Sequence, residues 1–543
     1  MIVRMKHLDL ICLVAEKETT LESLRALGVA HLDLAAARGP EVMAAMAKLS
    51  DAASAVRLIE KARGKDTEVD IRPGTVEQVL LLAEDRTRLA EERDRLGREI
   101  RRYEPYGDFD PELARKLLAK GIDLSADLPA ELPEMRLSRL QEKLARVENR
   151  IAIDTAKLAQ IDEQDILRRN PALRNAIAFE QAKELSSDQG AVAVISGWVP
   201  ETRLPDLKSA GVAKGWGLWL RDPDVGEIPP TLVEPPRCFK AMKALFEGLG
   251  VSPAYTEADV SVPFMCYFSL FFAMLVGDGA YGAIFLAMTL AFRKKLPRSW
   301  VTLLTVFSSA TILWGILSNT WFGAGLPFLA TLPTVQWLAD PSYNNMMLLC
   351  FSIGVSHLML ARIWNGVCKL NDSTAVAEFG WAGVLLTMYL VTNSIVGIFP
   401  VFPSWGLWLG GVSIALVFLF SVKPSELKTR GAELGMLPLN IMSALGDIIS
   451  YVRLFAVGLA SVKVAENFNL MATGLVTDAD TWWMKALLSL AMVVILVFGH
   501  VLNLMMAGLS ILVHAVRLNT LEFSNHKGVS WSGYSFKPFK KEK

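Results

Sequence analysis

The chain has 543 residues, of which 52% are hydrophobic, and its 56 basic residues balance its 56 acidic residues. A net charge of zero gives no indication of nucleic-acid binding. The average composition conceals two halves, because residues 1–260 are rich in Glu, Lys and Arg whereas residues 261–520 contain apolar runs of membrane-spanning length. The five cysteines form no CxxC pair, which argues against a disulfide framework or a zinc site.

The first half predicts an α+β lobe. Residues 5–15 have the pattern of a buried strand, a helix pattern follows, and residues 29–34 have the pattern of a second strand, so we expect a βαβ-like unit. A similar pattern at residues 191–220 is expected to complete the same lobe. The first residues lack the continuous apolar core of a signal peptide, which predicts that this half stays in the cytoplasm.

Two heptad-like runs lie between these strand patterns. Apolar residues at spacings of three and four, with charges elsewhere, are typical of a coiled coil. The linker from Tyr103 to Pro133 can reverse the chain, so we predict an antiparallel helical hairpin, with a helix pair inside a larger globule as the alternative. The runs comprise Val79, Leu82, Leu89, Leu96 and Ile100, followed by Leu137, Leu140, Leu144, Val147, Ile151, Leu158 and Ile161.

The second half predicts an all-α membrane domain with eight spans. Its apolar blocks lie near residues 261–292, 299–322, 345–367, 377–399, 405–422, 441–471 and 483–518. The positive-inside rule assigns the loops rich in Lys and Arg to the cytoplasm. Basic residues follow the first block, so both ends of this block are assigned to the cytoplasm. The block is therefore expected to cross the membrane twice, with its turn at Gly277–Gly282. Both termini are then cytoplasmic; one long helix at 261–292 is the alternative.

Arg453 lies in the middle of an apolar helix. An arginine stays charged in a protein and costs about 2.5–3.5 kcal/mol at the centre of a membrane helix on insertion scales, so it needs a partner. Little in the chain offers one, and we expect the partner on another subunit.

Lys463 and Glu466 follow on the same helix at a spacing that allows them to pair with each other. His357 and His500 are isolated in apolar spans, where most histidines hydrogen-bond to a neighbouring helix; a role as a proton relay is the alternative.

The last span carries a polar stripe. Ser510, His514 and Arg517 follow one another at spacings of four and three, and Asn503 lies two turns earlier near the same face. Arg517 is close to the cytoplasmic end of the span by linear count. Snorkelling of its guanidinium to the interface is therefore an alternative explanation for its charge.

Six stretches in this order resemble the motifs of one family. They are Gly197-Trp198-Val199-Pro200-Glu201; Pro263-Phe264 with Gly277-Asp278 and Tyr281-Gly282; Gly354-Val355-Ser356-His357-Leu358; Ser450-Tyr451-Val452-Arg453-Leu454; Val513-His514-Ala515-Val516-Arg517-Leu518; and Glu522-Phe523. The chain resembles, over nearly its whole length, subunit I of the archaeal and bacterial V-type (A-type) rotary ATPases. The eukaryotic counterpart is the V-ATPase a subunit.

The resemblance implies a membrane stator, non-catalytic by itself, in a complex that translocates H⁺ or Na⁺. It implies that a ring of rotor (c/K proteolipid) subunits, each with a buried carboxylate, turns against the last two spans, between two offset half-channels. The essential arginine of the family maps onto Arg453 and its second membrane arginine onto Arg517. The residues expected near the half-channels are His514, Ser510, Asn503, Glu466 and Lys463. No cofactor and no metal is expected.

The resemblance also implies three parts of the chain. Residues 1–260 are expected to bind peripheral-stalk subunits of the E/G type, residues 261–525 to conduct ions across the cell membrane, and residues 526–543 to form a cytoplasmic tail. Two departures from the family pattern matter. Ala507 occupies the position of a glutamate in eukaryotic relatives, and the insertion between the heptad runs is short, which puts contact with a second peripheral stalk in doubt.

Two other classes of protein compete with the stator. A stand-alone secondary transporter would use Arg453, Lys463 and Glu466 in its site, although the inverted repeats typical of that class are not visible. A membrane-anchored coiled-coil scaffold would use the polar residues only for structure. An enzyme with its own active site is least supported, because the sequence shows no nucleotide or metal motif.

Overall fold

The chain folds into two units. The computed structural model describes residues 2–34, 37–63, 72–120, 129, 131–224, 226–324, 335, 337, 343–423, 431–477 and 482–541. One unit, here named the sheet unit, comprises residues 5–225 and 537–543. The other, named the membrane unit, comprises residues 1–4 and 226–536.

The sheet unit contains four antiparallel strands in the order β2-β3-β1-β4. The strands are β1 (Met5–Leu13), β2 (Ser187–Gln189), β3 (Val192–Pro200) and β4 (Gly217–Arg221). β1 pairs with β3 on one side and with β4 on the other, so strands from both ends of the unit's sequence form one sheet. The predicted α+β lobe with its sheet is therefore present.

The predicted strand at residues 29–34 is wrong. The chain leaves the first helix through Gly28, whose left-handed backbone (φ 60°) turns it sharply. After this turn His31 alone is bridged to β3, where it exchanges two main-chain hydrogen bonds of 2.8 Å with Trp198. The βαβ pattern is instead made by β3, the helix after it and β4, which lie on opposite sides of β1.

The described part of the sheet unit also contains α-helices. They are α1 (Lys17–Leu27), α2 (Pro40–Arg63), α3 (Val76–Tyr103), α4 (Pro111–Ala119), α5 (Leu137–Gln160), α6 (Glu163–Leu185) and α7 (Leu204–Lys214). The two heptad runs form α3 and α5. Val79 near the start of α3 shares an apolar cluster with Leu158 near the end of α5, and Ile100 shares another with Leu140, so the two helices run antiparallel. α3 and α5 thus form an antiparallel helix pair, and the predicted coiled-coil hairpin is not confirmed.

The end of the chain packs into the sheet unit. The main-chain N–H of Phe539 donates to the carbonyl of Ala30 at 2.7 Å. The side chain of Phe539 is 5% exposed and belongs to the apolar core under the sheet, together with Leu21 and Leu24 of α1. Lys537 donates its main-chain N–H to Nδ1 of His31 at 3.0 Å. This segment is therefore a structural part of the unit.

The membrane unit is helical in its described residues. Its main helices are α8 (Met242–Leu249), α9 (Ser261–Val276), α10 (Gly279–Ala291), α11 (Arg298–Ser318), α12 (Tyr343–Cys368), α13 (Thr374–Ile395), α14 (Ser404–Phe420), α15 (Leu437–Ile449), α16 (Val452–Thr477) and α17 (Trp482–Ser510). Its core is aromatic, with Phe264, Phe268 and Phe271 of α9 almost completely buried.

The eight predicted spans are not confirmed. Within the described residues, five helical runs are long and apolar enough to cross a bilayer: α11, α12, α13, Leu437–Leu475 and Trp482–Lys527. α9 and α10 pass that test only together and bend by 118°, which allows up to six. At 1.5 Å per residue they are about 24 and 20 Å long, less than the ~30 Å hydrocarbon core.

Asp278 holds the bend between α9 and α10. Its carboxylate accepts the main-chain N–H of Ala280 at 2.8 Å, which caps the start of α10. The other oxygen accepts the N–H of Gly323 at 2.7 Å. The side chain is 1% exposed. The turn predicted from the glycine-rich sequence is thus present and is stabilised by a buried carboxylate.

Candidate functional site

Arg453 lies directly after a break between two helices. α15 ends at Ile449 and α16 begins at Val452, with Tyr451 in the turn between them. Tyr451 is completely buried, and its hydroxyl shares a hydrogen bond of 2.8 Å with Nδ1 of His357 on α12. The packed ring therefore holds the turn in place, and with it the position of the Arg453 backbone.

The charged partner of Arg453 within this chain is Glu522. Nη2 of Arg453 donates to Oε1 of Glu522 at 3.1 Å, and Nε of Arg517 lies 3.5 Å from the same oxygen. The expectation that little in the chain offers Arg453 a partner missed Glu522, and a partner on another subunit stays a prediction. Glu522 belongs to one of the six quoted motifs, but it lies 69 positions from Arg453, and helical spacing cannot connect residues on different helices.

The last helix changes its winding around Arg517. After α17 ends at Ser510, residues Ile511–Ala515 and Leu518–Phe523 adopt the wider π-helical form. In a regular α-helix the fifth residue after Arg517 would point about 140° away from it. Because hydrogen bonds in a π-helix run from i to i+5, the wider turn brings Glu522 back beneath Arg517. No periodicity in the sequence predicted this change.

The three charged side chains differ in exposure. Glu522 is 5% exposed, Arg453 21% and Arg517 55%. The carboxylate therefore lies inside the protein and the guanidiniums lead outward from it. The helical run Trp482–Lys527, which carries Arg517 and Glu522, also has an exposed apolar face. This face is formed by Val494, Phe498, Met505, Leu509 and Leu512. Such a face is typical of a surface that meets lipid or another apolar protein.

The polar stripe predicted on the last span is divided between two places. His514 is half-buried and lies within electrostatic range of Arg453 and Arg517. Ser510 is half-buried one turn earlier. Asn503 instead is 1% exposed and faces α16 and α10, so it belongs to another cluster.

This second cluster joins α10, α16 and α17. Asn503 donates to the carbonyl of Ser461 at 2.8 Å and to the hydroxyl of Tyr281 at 3.1 Å. Tyr281 shares a hydrogen bond of 2.8 Å with Nδ1 of His500, and Nε2 of His500 lies 3.1 Å from Oδ1 of Asn469. The prediction that His500 bonds to a neighbouring helix is confirmed.

Lys463 and Glu466 pair with each other, as their spacing predicted. Nζ of Lys463 lies 2.6 Å from Oε2 of Glu466, and both side chains are about half exposed. Exposed pairs of this kind contribute about 0–1 kcal/mol. Among the residues that the structure describes, no group of three or more His, Cys, Asp and Glu could hold a metal ion.

Sequence comparison finds relatives of known family, and one alignment covers residues of both units. The chain is 33% identical to the V-type ATP synthase subunit I of Borreliella burgdorferi, over 68% of this chain and 63% of that protein. It is 28% identical to the V-type ATP synthase subunit I 1 of Treponema pallidum, over 99% of this chain and the whole relative. The chain belongs to the subunit I family of V-type and A-type ATP synthases.

A third relative extends the family to archaea. The A-type ATP synthase subunit I of Methanocaldococcus jannaschii is 25% identical over 75% of this chain and 64% of its own length. The match thus spans a little less than two thirds of the Borreliella and Methanocaldococcus relatives. No protein-family model matches the chain. These relatives are named as subunits of ATP synthases, and the long apolar helices of this chain are those of a multi-pass membrane protein.

One group of polar residues in this subunit I chain was not predicted. A cavity of about 470 Å³ is lined by Arg362, Asn440, Asp447 and His526, among others. Nε2 of His526 lies 3.0 Å from a carboxylate oxygen of Asp447. Asp447 and His526 are 79 positions apart. The only sequence signal was therefore the presence of isolated polar residues near helix ends.

Proposed function

We propose that this subunit I chain is the stator through which ions cross the membrane, and that rotor carboxylates meet Arg453 one after another. The coupling of ion flow to ATP synthesis or hydrolysis then takes place in the whole complex, and this chain is not catalytic by itself. The observation that carries the proposal is the meeting of Arg453 and Arg517, from two separate spanning runs, at the end of an exposed apolar helix face.

A fixed guanidinium suits this role for an electrostatic reason. An opposite charge within about 4–6 Å favours the ionised form of a carboxylate. Arg453 would therefore help to expel the ion from each arriving rotor subunit. The same charge repels a cation that passes directly between the two half-channels. Lysine would serve less well, because it loses its proton more readily when desolvated.

Two polar regions support separate access routes to Arg453. The cavity that contains Asp447 lies among helix ends whose nearby basic residues are Lys369, Lys423 and Lys527, and the positive-inside rule favours the cytoplasm for that side. We assign it to the cytoplasmic route. The cluster of Asn503 and His500 lies toward the loop between α16 and α17, which has no Lys or Arg. We assign it to the opposite route, with Ser510, His514, Lys463 and Glu466 as further lining residues.

The sheet unit is the proposed contact for the peripheral stalk. Residues 1–260 contain the antiparallel pair α3 and α5, whose charged outer faces can serve as a coiled-coil arm for stalk subunits of the E/G type. Both termini are then cytoplasmic. Rotor (c/K) subunits are the proposed partners of the helices that carry Arg453 and Arg517.

Replacement of Arg453 tests the proposal in the assembled complex. We expect Arg453→Ala to abolish ATP-driven ion uptake into vesicles, because the remaining guanidinium of Arg517 is paired with Glu522 and does not replace the charge that meets the rotor carboxylate. Arg453→Lys should leave a small residual rate. The matched control is Lys485→Gln, which removes an exposed cation near the start of α17 that belongs to neither proposed route and should retain most of the uptake. Uptake by Arg453→Ala at the wild-type rate, with normal assembly, would refute the proposed role and favour a scaffold.

A further inference from the structure

Glu522 is held between two arginines deep in the membrane unit. Its Oε1 atom is 3.1 Å from Nη2 of Arg453 and 3.5 Å from Nε of Arg517. Tyr451 lies within electrostatic range of the same carboxylate, from the turn between α15 and α16. Glu522 is therefore in direct contact with the group to which the proposed function assigns the encounter with the rotor.

The contact between Arg453 and Glu522 is a single hydrogen bond. Strong arginine–carboxylate pairs form two parallel bonds. Here Nη1 of Arg453 and Oε2 of Glu522 are shielded from solvent, and neither has a hydrogen-bond partner within the described ranges of the chain. A pair that uses one bond and leaves one donor unused can be exchanged for another carboxylate at a moderate cost.

The backbone around Glu522 is built to keep it in place. It lies in the π-helical segment Leu518–Phe523, and its neighbour Phe523 stacks on His357 with ring centroids 4.5 Å apart. The indole N–H of Trp531 donates to the carbonyl of Thr520 at 3.2 Å. The carboxylate thus has a fixed position, whereas the Arg453 side chain reaches it from another helix.

We propose that Glu522 is a stationary counter-charge that competes with the rotor carboxylate for Arg453. This inference rests on the proposed function of Arg453. When a rotor carboxylate arrives, Arg453 exchanges one partner for the other, and Glu522 stays compensated by Arg517. When the rotor carboxylate leaves, Glu522 takes Arg453 back. The competition prevents the rotor from being trapped in its pair with Arg453, so Glu522 is a positioning residue.

The inference makes a prediction about pH. Without the negative charge of Glu522, two uncompensated guanidiniums face the rotor carboxylate, which stays ionised to lower pH because positive charges favour the ionised form. In a proton-translocating complex, Glu522→Gln should therefore shift the pH profile of ATP-driven uptake to lower pH, by about one unit, and slow uptake at neutral pH about tenfold. In a sodium-translocating complex, the apparent affinity for Na⁺ should fall for the same reason, and uptake should slow because the guanidiniums hold the rotor carboxylate longer.

Two variants separate this role from a structural one. Glu522→Asp keeps the charge on a shorter side chain and should return the profile most of the way to wild type; it also serves if Glu522→Gln fails to assemble. The matched control is Glu378→Gln. Glu378 is likewise a shielded carboxylate between two cations, 3.2 Å from Nη1 of Arg362 and 2.7 Å from Nζ of Lys369. Loss of the Glu378 charge should lower the stability of the chain without shifting the dependence of uptake on pH or Na⁺.

The experiment measures ATP-driven uptake against pH and Na⁺ in vesicles that contain the assembled complex, normalised to assembled complex. The inference would be overturned if uptake by Glu522→Gln depended on pH and Na⁺ as uptake by the wild type does. It would also be overturned if Glu378→Gln shifted these profiles as much as Glu522→Gln does. Arg453→Ala separates the two proposals. If Arg453 is essential and Glu522→Gln keeps the wild-type profile, only the counter-charge role fails; if Arg453→Ala pumps normally, the proposed function itself fails.

Discussion

Phe539 is a core residue of the sheet unit although it lies near the end of the chain, and its truncation to alanine should loosen that unit. Its ring is 5% exposed and shares a cluster with Leu21, Leu24 and Cys12. Phe→Ala substitutions in protein cores cost about 3–5 kcal/mol. The segment can detach instead of leaving a closed cavity, so we expect a value near the lower end, about 3 kcal/mol.

The thiol of Cys12 provides the assay. Cys12 is a buried free cysteine in the same core as Phe539, and burial raises the pKa of its thiol, which keeps it unreactive in the folded unit. At about 1.4 kcal/mol per tenfold change, a loss of about 3 kcal/mol raises the open fraction roughly 100-fold. Alkylation of Cys12 in the purified full chain, followed by peptide mass spectrometry, should accelerate accordingly.

Two controls make this prediction decisive. Cys350 is buried in the membrane unit, so its alkylation rate in the same sample should not change. Val212 on α7 is 88% exposed, and Val212→Ala should leave Cys12 as slow as in the wild type. If Phe539→Ala labels Cys12 at the wild-type rate, the end of the chain does not contribute to the core and the reasoning is refuted.

Two further predictions concern His31 and Gly354. Burial lowers the pKa of His31, so the unfolded sheet unit takes up a proton more readily than the folded one. The contribution of His31 to the free energy of unfolding is present above about pH 6.5 and is lost as the pH falls below that value. Cys12 alkylation, corrected for thiol ionisation, measures the slope, and an identical slope in His31→Gln would contradict the assignment. A methyl group at Gly354 would lie 2.6 Å from Cγ of Tyr451, so Gly354→Ala should cost about 1–3 kcal/mol. The thermal midpoint of the purified chain measures this against Gly411→Ala, whose methyl group meets no described atom within 4 Å; equal midpoints would exclude the clash.

The elements that depend on local spacing were predictable. Apolar residues at spacings of three and four predicted α3 and α5, because neighbours on one helix face are three or four positions apart. The same rule predicted the pair of Lys463 and Glu466. Long apolar runs predicted a helical membrane half, but run length alone did not distinguish a complete span from the bent pair α9 and α10.

The partner of Arg453 was not predictable in the same way. Its contact with Glu522 joins two helices, and it depends on a change from α-helical to π-helical winding that moves Glu522 onto the face of Arg517. A helical wheel assumes constant winding and therefore assigns Glu522 to the wrong face. The motif resemblance drew attention to Glu522 without indicating what it contacts.

The sequence by itself determined the two halves of this subunit, its family and the location of its charged residues along the membrane helices. It could do so because hydropathy, heptad spacing and short motifs are local properties of the chain. The tertiary structure alone decided which distant residues meet: β1 with β3, Phe539 with the core of the sheet unit, and Arg453 with Glu522. Such contacts depend on how the helices and strands pack, so only the folded chain reveals that the buried charge of Arg453 has a partner inside its own subunit.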